Sequence, residues 1–175
     1  MAVFAKAISN GYPMAAIIGR GDVMKAAQDS FISSTYWTER IGPAAALATI
    51  HKHRRLDVPR RLDKIGRLVQ AGWSAAAVGA GLPVTVSGLP ALSHFTIDLA
   101  NAQAVRTLFT QMMLQRGFLA THAFYAMYAH TEQQVENYLI AVGEAFQQLA
   151  TAVDRNEVEG LLQGPVAHSG FHRLT

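Results

Sequence analysis

The residue with most to offer chemically is a lysine that closes a short apolar run. Ala2, Val3, Phe4 and Ala5 lead into Lys6, and Ser9-Asn10-Gly11-Tyr12-Pro13 follows as a turn. A strand that ends this way delivers its last side chain to the rim of a sheet, where an amine can condense with an aldehyde to an imine. The second feature is a hydroxyl-rich loop, Ser33-Ser34-Thr35-Tyr36-Trp37-Thr38, ahead of an alanine-rich helix. Hydroxyls at the start of a helix can hold an anion such as a phosphate. Together the two point to a phosphorylated carbonyl cofactor. Taken singly, Lys6 also reads as a solvated lysine near a terminus, and the loop as ordinary capping.

Other chemistries find little support. There is no glycine-rich phosphate loop and no nucleophile elbow. Cysteine is absent, which removes disulfides, thiolate catalysis and cysteine metal sites. The seven histidines lack zincin spacing: His51 and His53 face different directions on a helix, and His168 and His172 sit in a tail. Basic residues gather at His51-Lys52-His53-Arg54-Arg55 with Arg60, Arg61, Lys64 and Arg67, yet no aromatics interleave with them and the net charge is only +3. They read as a solvated helix face, and no nucleic-acid partner is expected.

A chain of 175 residues can build one core-bearing domain plus an arm. Half of it is hydrophobic and 15% charged, more apolar surface than charge can cover, so a partner is expected. The runs 2–5 and 15–19 have the composition of strands buried on both faces. Asp22 is placed to cap a short helix over 23–28. Pro43, tolerated in a first turn, opens the helix carrying Ala44 to Ala48. Asp57 then begins a long amphipathic helix with Leu62, Ile65, Val69, Trp73 and Ala76 on one face, ending near Gly79 and Gly81.

Val84 to Val86 and Leu92 to Leu99 read as an antiparallel pair joined through Gly88-Leu89-Pro90. A helix over 102–116 follows, stopped by Gly117. Residues 118–121 read as a short strand. Thr131 and Gln134 form a capping-box signature before a helix on Val135, Leu139, Val142, Phe146, Leu149 and Val153, and a short helix over 157–162 precedes the tail. The mixture predicts an α+β arrangement: a small, largely antiparallel sheet with helices on one face, and two N-terminal runs that belong to another sheet. No basic leader and no apolar run near eighteen residues is present, so no membrane partner and a cytoplasmic location are expected.

From Ala5-Lys6-Ala7-Ile8-Ser9-Asn10-Gly11-Tyr12-Pro13-Met14 to Ala15-Ala16-Ile17-Ile18-Gly19, the segment resembles the Schiff-base segment of class III pyridoxal-phosphate-dependent aminotransferases. These belong to the fold type I group that includes glutamate-semialdehyde aminomutase. Ser34-Thr35-Tyr36-Trp37-Thr38-Glu39 before Ala44 to Thr49 is similar to that family's serine-threonine-aromatic loop. The resemblance implies an α/β fold, pyridoxal 5′-phosphate as cofactor, and Lys6 as the lysine that joins it. It also implies that Thr35, beside Ser34, contacts the phosphate of the neighbouring subunit, with Thr38 the alternative.

By the same resemblance, residues 1–55 are the tail end of the cofactor-binding large domain, 56–80 a connecting helix and 81–175 the small C-terminal domain. A homodimer and an amino-acid or amino-sugar type substrate are implied. The family's chain is more than twice as long, and its ring-stacking aromatic and the aspartate for the pyridine nitrogen lie in the part that precedes Lys6. The expectation is therefore a C-terminal part, truncated, that is inactive alone and without bound cofactor. An aminomutase, epimerase or decarboxylase on the same scaffold, or a non-catalytic oligomerisation remnant, remain alternatives.

Overall fold

The computed structural model describes residues 1–33 and 38–170. Contacts divide the chain into two compact units that meet at Val58 and Pro59. The first holds strand β1 (Ala2–Phe4), strand β2 (Ala16–Ile18), the one-turn helix α1 (Gly21–Met24) and helix α2 (Ile41–Arg55). β1 and β2 pair antiparallel, with Ala2 opposite Ile18 and Phe4 opposite Ala16. Their apolar residues are not buried on both faces as the composition predicts: Val3, Phe4, Ile17 and Ile18 are all exposed. A two-stranded ribbon has no second layer to bury them.

α1 also departs from expectation. The N–H groups of Val23 and Met24 both bond to the carbonyl of Arg20, so the helix starts before Asp22, which sits within its first turn near Lys25. Residue 57, an aspartate with φ of 45°, turns the chain from α2 into α3 (Val58–Ala80). α3 places Ile65, Val69, Trp73 and Ala77 four residues apart on one buried face and leaves Arg60, Lys64 and Arg67 in solvent.

The second unit is built on a three-stranded antiparallel sheet in the order β3 (Val84–Leu89), β4 (Leu92–Ile97), β5 (Ala123–Tyr125). β3 and β4 form a hairpin whose pairing runs from Val84 opposite Ile97 to Leu89 opposite Leu92. Side chains alternate along β4, burying Ser93, Phe95 and Ile97 while His94 and Thr96 face out. α4 (Ala102–Gln115) and α5 (Glu132–Asp154) complete the layer with α3. Phe95 is the hub, meeting Trp73, Phe109 and Phe146 edge to face at 5.0, 5.3 and 5.5 Å between ring centres. Helices thus lie on one face of a small antiparallel sheet, as the pattern predicts.

The strand expected over 118–121 forms instead at Ala123–Tyr125. Gly117, with φ of +83°, ends α4 in the left-handed conformation, and the N–H of Phe118 turns back to the carbonyl of Met113 at 2.9 Å. Phe118 and Ala120 then pack on the core, and pairing with β4 begins only at Ala123 opposite His94. Thr131 accepts from the N–H of Gln134 while Gln134 accepts from that of Thr131, the reciprocal cap the sequence announces. The short helix over 157–162 is a 3-10 turn at Glu159–Leu161. Among the described residues, no helix is long and apolar enough to cross a membrane.

Candidate functional site

Lys6 stands two residues beyond the end of β1 and opens a 3-10 turn, Lys6–Ser9, held by bonds from Ile8 N–H to the Ala5 carbonyl and Asn10 N–H to the Ala7 carbonyl. Its φ is +55°, a left-handed conformation that a side-chain-bearing residue rarely adopts. Asn10 and Gly11, at +48° and +110°, complete the reversal. Three such residues in six make a tight, locally strained turn. The Lys6 side chain is exposed, as are those of β1 before it, and among the described residues it pairs with no carboxylate.

The turn is anchored by its one buried polar residue. Ser9 is 1% exposed and its hydroxyl donates to the carbonyl of Tyr12. Behind it comes the start of α2, where Gly42 lies so close that a Cβ there would sit 2.8 Å from the carbonyl oxygen of Pro13. Only glycine leaves room for that approach. The same end of α2 is held by Glu39. Its carboxylate accepts from the N–H of Ile41 at 2.5 Å and of Gly42 at 3.1 Å. Those two backbone bonds hold its pKa below the usual carboxylate range.

Ser34 and Thr35, expected to contact a phosphate, lie outside the described residues, so only the flanks of that loop can be placed. Thr38, the alternative, is an exposed turn residue next to Glu39. Sequence reading gave no role to Glu39 or Gly42. The available signal was an acid three residues ahead of a glycine and four ahead of a first-turn proline, a pattern that marks a helix start.

The second unit has a polar junction of its own. Glu132, at the head of α5, receives Lys64 Nζ at 2.6 Å and Arg61 Nη1 at 3.2 Å from α3, and Arg61 Nη2 also donates to the carbonyl of His130 at 2.7 Å. Bonds from Lys64 and Arg61 lower the pKa of Glu132. Part of the basic run in the sequence is therefore a clamp between two helices.

No protein-family profile matches the chain. Among individual proteins, a 3-aminobutyryl-CoA aminotransferase from Cloacimonas acidaminovorans is 28% identical over 158 residues, covering 85% of this chain and 37% of that protein. The 2′-deamino-2′-hydroxyneamine transaminase of Streptomyces kanamyceticus is 26% identical, covering 80% and 37%. The glutamate-1-semialdehyde 2,1-aminomutase of Myxococcus xanthus is 26% identical, covering 85% and 38%. This chain thus spans somewhat more than a third of the length of the relatives it matches.

Solved structures share the fold. The FumI protein of Sphingopyxis sp. MTA144, in its PLP internal aldimine form, superposes with a TM-score of 0.78 at 23% identity, covering 87% of this chain and 37% of that one. An omega-transaminase from Sphaerobacter thermophilus gives 0.73 at 21% identity, covering 85% and 38%. The chain is a relative of the class III pyridoxal-phosphate-dependent aminotransferases and glutamate-1-semialdehyde aminomutases, matched over their C-terminal portion and folded as the transaminases are over the part it spans.

Proposed function

We propose that this chain is the lysine-bearing part of a pyridoxal-phosphate-dependent aminotransferase. The observation that carries the reading is the placement of Lys6: an exposed, uncompensated amine in a strained turn at the end of β1. An amine without a carboxylate partner is open to condensation with an aldehyde, so the residue fits the group. Lys6 would hold the cofactor through Nζ, and Thr35, beside Ser34, would contact the phosphate of the neighbouring subunit's cofactor. When bound, pyridoxal phosphate supplies a reactive carbonyl and an electron sink. Lys6 Nζ would carry the proton removed from the substrate α-carbon.

Residues 1–55 then form the end of a cofactor-binding domain, 56–80 a connecting helix and 81–175 a small domain. The contact boundary at Val58 and Pro59 supports the first of these divisions, while most of the connecting helix groups with the small domain. Exposed Phe4, Ile17, Ile41, Leu47 and Ile50 in the first unit support a homodimer. The names of the relatives support an amino-acid or amino-sugar type substrate, and the cysteine-free composition suits a reducing cytoplasm. This chain spans 37% of the length of the first two of those relatives, so on its own it should bind the cofactor weakly and not transaminate.

Borohydride trapping tests the assignment. The chain is incubated with pyridoxal phosphate and reduced, and the modified lysine is mapped by mass spectrometry. Lys6 should be labelled in preference to Lys25, Lys52 and Lys64, and Lys6→Ala should remove most of the label. Equal labelling of all four, unchanged by Lys6→Ala, would overturn the role given to Lys6. A saturable visible imine band that Lys6→Ala abolishes would instead overturn the expected weakness of binding.

A further inference from the structure

β5 pairs with β4 only from Leu92 to His94. One step further, the N–H of Phe95 donates to the carbonyl of His122 at 2.9 Å, and there the strand gives out. Backbone groups alternate along an antiparallel strand, so the N–H of Ile97 faces the same side, past the end of β5. A cavity of about 290 Å³ opens at this place. Phe95, Ile97 and Ala102 give it an apolar floor, while Arg106, His122 and His94 supply its charge-bearing groups.

The charge balance of the cavity is one-sided. No carboxylate lines it, and among the described residues Arg106 makes no ion pair; one of its N–H groups bonds to Gln103 Oε1 at 2.5 Å, leaving its other donors without a carboxylate. The nearest acid along β4, Asp98, is held on the outer face by Thr85 at 2.7 Å and Thr96 at 3.4 Å. Ser87 fixes the His94 ring through Nε2 at 2.9 Å, and Thr121 fixes His122 through Nδ1 at 3.1 Å. Burial first, then the positive fields of Arg106 and His94, lower the pKa of His122. Arg106 and His122 also border a second cavity, about 480 Å³, walled by Leu114, Leu162 and Pro165, which leaves room for the rest of a ligand.

We propose that Arg106 and His122, with His94 beside them and the Ile97 N–H at the strand edge, form a binding site for the carboxylate or phosphate group of a small molecule. An arginine without an acidic partner, oriented by its own helix and set in a partly enclosed cavity, gives charge-assisted hydrogen bonds that a solvated arginine does not. The proposal does not depend on the role given to Lys6.

The test follows the histidine ring signals by NMR while acetate and inorganic phosphate are titrated separately, which tells a carboxylate ligand from a phosphate one. Saturable shifts at His122 and His94 with either anion, absent from exposed His51 and His53, are expected, together with a rise in the His122 pKa. Arg106→Gln should weaken binding about tenfold or more, the loss of one charged hydrogen bond, and Lys6→Ala should leave it unchanged. If Arg106→Gln does not fold, His122→Glu carries the same expectation. Linear shifts shared by all the histidines, or binding that survives both substitutions, would overturn the proposal.

Discussion

The indole Nε1 of Trp73 on α3 donates a 3.0 Å hydrogen bond to the hydroxyl of Tyr138 on α5 inside the core of the second unit. Trp73 is wholly buried and Tyr138 6% exposed, so water cannot replace either partner. Tyr138→Phe should strand the indole N–H and cost about 1–3 kcal/mol, the penalty for an unsatisfied buried donor. Urea unfolding measures it, and an unchanged midpoint would show that another acceptor reaches Trp73.

The same tyrosine makes the fold sensitive to alkali. Burial pushes its pKa from 10.0 up to about 12, with the Trp73 bond only partly opposing the rise. Between those values the unfolded chain loses the tyrosine proton while the folded chain keeps it. The unfolded state then binds fewer protons, and stability falls as pH rises. The slope should approach about 1.4 kcal/mol per pH unit in that window, and Tyr138→Phe should flatten it.

At the acid side two histidines act in the opposite sense. Burial lowers the pKa of His130, whose Nδ1 accepts from the N–H of Met127 at 3.0 Å, and burial with the Arg106 and His94 fields lowers that of His122. Their contribution is present above the ordinary value of 6.5 and is lost as pH falls below it, because the unfolded chain takes up protons first. Glu132 adds a further loss only below 4.5. His130→Gln should shallow the decline between neutrality and the start of the carboxylate range in thermal scans. An identical profile would assign that decline to other groups.

Two helical glycines should respond in opposite ways to alanine. At Gly66 a Cβ would fall 1.7 Å from the carbonyl oxygen of Pro90, where the β3–β4 turn crosses α3. Since backbone must move to admit it, Gly66→Ala should cost several kcal/mol, roughly the scale of an overpacked core. Gly143 on α5 has nothing within 4 Å of such a Cβ, so Gly143→Ala should be neutral or stabilise by up to about 1 kcal/mol. Melting temperatures of the two variants decide it; equal effects would remove the close-approach argument.

Much of the second unit was legible because its signals are local. The spacing of Ile65, Val69 and Trp73 sets the buried face of α3, though its last buried residue is Ala77 and not Ala76, Gly117 stops α4, and Thr131 with Gln134 caps α5 from within four residues. Lys6 was conspicuous for a similar reason: a lysine between an apolar run and an Asn-Gly turn can be read without knowing its surroundings. Wherever a partner far along the chain decides the outcome, reading failed. The β5 strand moved from 118–121 to Ala123–Tyr125 because β4 sets its register, with Ala123 opposite His94, and β1 and β2 stayed exposed because no second layer covers their ribbon.

The sequence by itself determined that a lysine would follow a strand and that a hydroxyl loop would precede an alanine-rich helix, since both are patterns of neighbouring residues. Only the tertiary structure decided that Lys6 takes a left-handed backbone, that Gly42 lets the carbonyl of Pro13 close on α2, and that Arg106 meets two histidines where β5 ends. Each is a juxtaposition of groups brought together by packing or by strand register. Periodicity reports which face of an element is buried, but not which residue of another element will stand against it.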